Sequence, residues 1–178
     1  MKMNVKKIAT MGVLAALSIV IMLPTRFPIL PAAPYLKYDP ADIPMLICAF
    51  LFGPIAGFAV TVVEATLQTL LFAEGGLYGW LMHIIASGAF VLIAGIIYKN
   101  KHDRKGALIG LVCGTLAMTL VMIPANLVIT PIYTGTKVED VANILLPAII
   151  PFNLIKAGLN SIITFIVYKS ISKVVNKI

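Results

Sequence analysis

Lys156 lies deep in the last apolar stretch of the chain, within Pro151-Phe152-Asn153-Leu154-Ile155-Lys156-Ala157-Gly158-Leu159-Asn160. A cation at the centre of a bilayer costs roughly 2.5–3.5 kcal/mol on insertion scales, so a chain keeps one only where something compensates it. Asn153, Lys156 and Asn160 stand at i, i+3 and i+7 and share one helical face. A single polar stripe on a greasy helix reads as the lining of a cavity. Asn126, in Pro124-Ala125-Asn126, falls at a similar depth in the preceding span. Amides both donate and accept while lysine only donates, so such a set suits the edge of a flat polar ring or an anionic group. The structural alternative is interhelical hydrogen bonding, which weighs equally for Asn126 alone and less for Lys156 with Asn153.

Thr61, Glu64 and Gln68 repeat the i, i+3, i+7 pattern one span earlier. Glu64 is the acid within a span and Lys156 the base, so a buried Glu64–Lys156 ion pair would lower the cost of both. A ligand contact and a protonated core residue are the other readings of Glu64. His83 and Ser87 lie at i and i+4, but a lone histidine without acidic or cysteine neighbours favours an interior packing role. Cys48 and Cys113 sit in apolar runs with no CxxC or Cys/His spacing and read as small buried hydrophobes.

These residues need membrane helices to position them. The 178 residues are 60% hydrophobic and 12% charged, with mean hydropathy +1.01. Soluble domains carry about 25% charge. The expectation is an all-α integral membrane protein, a single membrane domain over 1–178. Its six spans are expected near Lys7–Leu23, Ile43–Phe52, Ile55–Ala73, Gly79–Tyr98, Ala107–Ile129 and Ile144–Ser170. The second is too short to cross squarely. A Pro-rich loop, Pro24 to Pro44, separates the first two. Glu74-Gly75-Gly76 reads as a turn and Thr130 to Asn143 as a polar loop.

Lys2, Lys6 and Lys7 before the first apolar run imitate a signal peptide, with Pro31-Ala32-Ala33 near a cleavage point. The further spans favour a first transmembrane helix. With six spans both termini share a side. Lys2, Lys6, Lys7, Lys99, Lys101, Arg104, Lys105, Lys169, Lys173 and Lys177 gather there, against Arg26, Lys37 and Lys137 opposite. The positive-inside rule makes both termini cytoplasmic and the Pro-rich loop external, with Asp39, Asp42, Glu74, Glu139 and Asp140 outside. The net charge of +7 therefore reflects orientation and not a nucleic-acid groove.

No GxxxxGK[ST], HExxH, GxSxG or carboxylate pair occurs, so neither ATP hydrolysis nor other catalysis has visible machinery; no catalytic residue, metal or cofactor is expected. Gly106, Gly110 and Gly114 form overlapping GxxxG steps, and Gly12 with Ala16 a small-xxx-small step. Either serves packing within the chain or docking of another membrane protein.

The chain resembles the substrate-binding S components of energy-coupling-factor (ECF) vitamin transporters, most closely their riboflavin-specific members. The resemblance spans essentially the whole chain. It rests on Gly12-Val13-Leu14-Ala15-Ala16-Leu17-Ser18, Leu36-Lys37-Tyr38-Asp39-Pro40-Ala41-Asp42-Ile43-Pro44, Gly53-Pro54 with Gly57, Asn126, and Pro151 to Lys156. It implies six helices and vitamin entry from outside, near the outer ends of helices four to six and under the first loop. It implies polar ligand contacts at Asn126, Asn153 and Lys156 and lid contacts around Leu36 and Tyr38. It also implies a partner-docking face at Gly12 and Ala16, where glycine replaces the family's first alanine. The implied partners are riboflavin as transported ligand, a transmembrane coupling protein and two ATPase subunits. Glu64 matches no family feature but remains a candidate ligand contact. The competing readings are an S component for another vitamin and a small membrane enzyme or accessory subunit.

Overall fold

The computed structural model describes residues 5–30, 36–73 and 75–175, the last five of these by backbone alone. Glu74, Pro31 to Tyr35 and the terminal Lys2 and Lys177 lie outside the described residues, as does the side chain of Lys173. The elements are α1 (Val5–Thr25), a two-stranded ribbon of β1 (Phe27–Pro28) and β2 (Lys37–Tyr38), α2 (Asp42–Phe52), α3 (Pro54–Phe72), α4 (Gly76–Asn100), α5 (Arg104–Thr134), α6 (Val138–Ile144), a π-helical turn (Leu145–Ile149) and α7 (Ile150–Val175).

Among the described residues, five helices are long and apolar enough to cross a membrane: α1, α3, α4, α5 and the α6–α7 run. At ~1.5 Å per residue the 11-residue α2 covers only about half of the ~30 Å bilayer core. It survives there because nearly every residue from Asp42 to Phe50 is buried against its neighbours. Gly53, at φ +94°, takes a conformation closed to side chains with a Cβ, and Pro54 opens α3 where no N–H is needed.

One expected loop is helix instead. Thr130 to Asn143 reads as polar connection, yet α5 continues to Thr134 and α6 begins at Val138. The threonines make this extension: Thr134 Oγ1 donates to the Thr130 carbonyl (2.8 Å) and Thr130 Oγ1 to Asn126 Oδ1 (3.0 Å). Hydroxyls that bond one turn back do not break a helix. Gly135, at positive φ, ends it.

The GxxxG steps of α5 pack within the chain. A Cβ on Gly110 would stand 2.8 Å from the Ala94 carbonyl oxygen, and one on Gly114 2.8 Å from that of Phe90. These glycines let α4 and α5 meet backbone to backbone. Gly12 and Ala16 behave differently. Both are exposed, and a Cβ at Gly12 would meet nothing within 4 Å.

Candidate functional site

One end of the bundle encloses a cavity of about 930 Å³ between the C-terminal ends of α3 and α5, the N-terminal ends of α4 and α7, and the segment after α1. A drug-sized ligand site typically occupies 300–1,000 Å³. Asn126, Asn153, Lys156 and Leu36 all line it, so four predicted site residues converge. Its walls add Met82, Met118, Met122, Ile129 and Phe152, and Tyr78 and Tyr133 contribute rings 5.8 Å apart.

The two asparagines are oriented by their own helices. Asn126 Nδ2 donates to the Met122 carbonyl (2.8 Å) and Asn153 Nδ2 to the Ile149 carbonyl (2.8 Å). Each bond fixes a rotamer and uses one of the two N–H groups an amide carries. Asn153 follows the π turn, which contains Pro147, and Pro151 stands in the first turn of α7. Prolines remove donors from the ladder, and π turns recur at functional positions.

Lys156 is 6% exposed, and its Nζ donates to Asp39 Oδ2 at 3.0 Å. Glu64, one candidate partner, is not the one used. Asp39 and Asp42, expected in the external loop, are buried within the bundle, 3% and 0% exposed. Asp42 accepts from Ser87 Oγ and, at 2.8 Å, from Asn160 Nδ2. Ser87 and Asn160 lie roughly 15 Å along α4 and α7 from their cavity-side ends, at ~1.5 Å per residue. The segment after α1 therefore dives to the middle of the bundle. Irregular backbone is tolerated at that depth only where protein or a cavity surrounds it. The N-terminus of α2 meets the two aspartates there, with the Ala41 N–H donating to Asp39 Oδ1 (3.2 Å), and its dipole favours negative charge.

Asn160 holds this segment down. Its Nδ2 donates to the Asp39 carbonyl (3.1 Å) as well as to Asp42, and its Oδ1 accepts from the Tyr38 hydroxyl (3.0 Å). Both N–H groups and the carbonyl are engaged, so Asn160 is a tether. Tyr38 is 7% exposed and outside the cavity lining, which corrects the expectation of a direct lid contact; its ring tilts against Phe27. Leu36, two residues before it, does reach the cavity, as do Arg26, Lys37 and Asp39 of the same segment.

Glu64 is fully buried behind the wall and does not line the cavity. Its Oε2 stands 3.0 Å from His83 Nε2, a close ionic approach whose angle falls short of a well-formed hydrogen bond. His83 does line the cavity, as does Gln68 from the same α3 stripe. Trp80 is turned away and donates to Thr66 Oγ1 (3.0 Å). Sequence reasoning missed Asp39 and Asn160 as the pieces that anchor the loop. The signal was two aspartates three residues apart, flanked by Pro40 and Pro44 and running directly into an apolar helix.

A ligand-sized chamber open at one end of a membrane bundle, lined by a few fixed amides and one paired lysine, has the form of a membrane-embedded binding site. The chain belongs to the substrate-specific components of ECF transporters: the model of that family matches residues 6–168. A protein of Staphylococcus aureus (strain TCH60) named riboflavin transporter RibU is 35% identical, covering 97% of this chain and 94% of its own length. Riboflavin transporter FmnP of Bacillus subtilis (strain 168) is 31% identical over 93% and 92%. A solved structure of the S component of a bacterial ECF transporter superposes with TM-score 0.80 at 35% identity, covering 94% of this chain and 96% of that one. These relatives are transporter components and not enzymes, and the chain is a multi-pass protein of the cell membrane.

Proposed function

We infer that this chain is the riboflavin-capturing subunit of an ECF-type uptake transporter. The observation that carries this is the convergence of Asn126, Asn153 and Lys156 on one cavity with apolar and aromatic walls. Riboflavin has a flat ring with a polar pyrimidine edge and a ribityl tail. Two oriented amides and an ammonium supply donors and an acceptor for that edge, while the methionines and Phe152 cover the ring. The names of the relatives support the choice of vitamin.

The cavity is the outer end, both termini are cytoplasmic and α2 counts as the sixth helix; the basic residues at the opposite end support this orientation. Vitamin enters from outside, and the exposed face at Gly12 and Ala16 docks on a transmembrane coupling protein that carries two ATPase subunits. The absorption spectrum of the protein as purified tests the assignment. It should show flavin bands, or acquire them on adding riboflavin. A colourless protein that leaves riboflavin fluorescence unquenched contradicts it.

A further inference from the structure

A second concavity lies on the lipid-facing side, between α5 and α7, with a volume of about 360 Å³ and almost wholly apolar walls. Leu108, Val112 and Leu116 of α5 face Ile162 and Ile166 of α7 across it, all at least half exposed. The hydroxyls on its floor satisfy each other, with Thr115 Oγ1 3.1 Å from Ser161 Oγ. A trough without unpaired polarity, open to hydrocarbon, suits an acyl chain.

Its two walls end alike. Arg104 and Lys105 precede Leu108 by four and three residues, so they continue the same face of α5 by one turn. Lys169 follows Phe165 and Ile166 by four and three residues and does the same on α7. The helices run antiparallel, so all three exposed cations lie toward the end of the trough remote from the ligand cavity. We propose that the α5–α7 groove is a binding site for one anionic phospholipid, its acyl chain between the helices and its phosphate at Arg104, Lys105 and Lys169. An apolar slot alone would accept any lipid; three converging cations select a negative headgroup.

The full chain, purified in detergent with equimolar phosphatidylglycerol and phosphatidylcholine, tests this by native mass spectrometry. Wild-type protein should retain phosphatidylglycerol over phosphatidylcholine, and each cation neutralised in R104Q, K105Q and K169Q should lower that ratio by on the order of fivefold. Gly158→Leu should lose lipid of both kinds without disturbing the fold, because a Cβ there meets nothing within 4 Å and the longer side chain enters the groove. Circular dichroism on each variant fixes the folded fraction, and Lys169→Gln alone serves if the α5 variants unfold. Equal retention of both lipids by wild type, or a preference unchanged when the cations are removed, overturns the site. So does a dimer that Gly158→Leu dissociates, which would make the groove a contact between copies.

Discussion

The two halves of the bundle, the cavity-bearing one (outer in the proposed orientation) and the one opposite (inner), are built from opposite materials. The outer half holds the polar stripes, an irregular segment at membrane depth, a π turn, and a cavity of about 930 Å³. The inner half is closed by small residues and aromatic rings. Gly110 and Gly114 bring α5 against the carbonyls of Ala94 and Phe90, and the rings of Phe50, Tyr98 and Tyr168 cluster with centroids 4.3–5.9 Å apart, Tyr168 edge-on to the other two. Helices brought this close leave little space between them for a vitamin. The difference teaches that capture is built into this chain, while passage inward requires motion of the chain as a whole or of its partners.

Breaking the outer half should be most damaging at its charged joint. Asp39→Asn leaves Lys156 buried without its counter-ion, and removing one partner of a buried pair typically costs about 3–5 kcal/mol. Thermal unfolding in detergent should show this loss, with Asp39→Asn/Lys156→Met recovering part of it. A similar effect from Glu64→Gln that couples to Lys156 would restore the pairing the structure replaces. Next, Gly110→Leu in the inner half should destabilise by ~1–3 kcal/mol through overpacking, while the folded fraction keeps its riboflavin affinity. Affinity lost in proportion to stability would mean that the halves are not separable.

Much of this division was legible in the sequence. Helical periodicity displayed the stripes at Asn153, Lys156 and Asn160 and at Thr61, Glu64 and Gln68, because a membrane helix makes every polar residue conspicuous. What was illegible lay where periodicity is absent. The segment carrying Asp39 has prolines at 28, 31, 34 and 40 and reads as external loop, which carries its aspartates with it. Only three-dimensional pairing with Lys156 and Asn160 shows that they are interior. The extension of α5 to Thr134 was hidden likewise, since polar threonines resemble loop composition while bonding to their own helix. Glu64 and Lys156 were each identified as needing a partner, and each has one, but the pairing depends on which helices adjoin.

A smaller effect sharpens the contrast from outside the bundle. Gly12→Trp adds bulk where nothing stands within 4 Å, so stability should change by less than ~0.5 kcal/mol and riboflavin binding should persist. Uptake by vesicles reconstituted with the coupling module should nevertheless fall to background. Undiminished uptake would remove α1 from the docking face.

The central claim is that Asn153 and Lys156 read riboflavin in the outer cavity. Titrating riboflavin fluorescence with purified wild type, Asn153→Ala and Lys156→Ala tests it most directly. Saturable quenching by wild type is predicted, weakened by ~1–3 kcal/mol in each variant, about 5- to 150-fold in Kd, as buried polar partners are lost. Folded variants that quench with wild-type affinity would place the vitamin elsewhere.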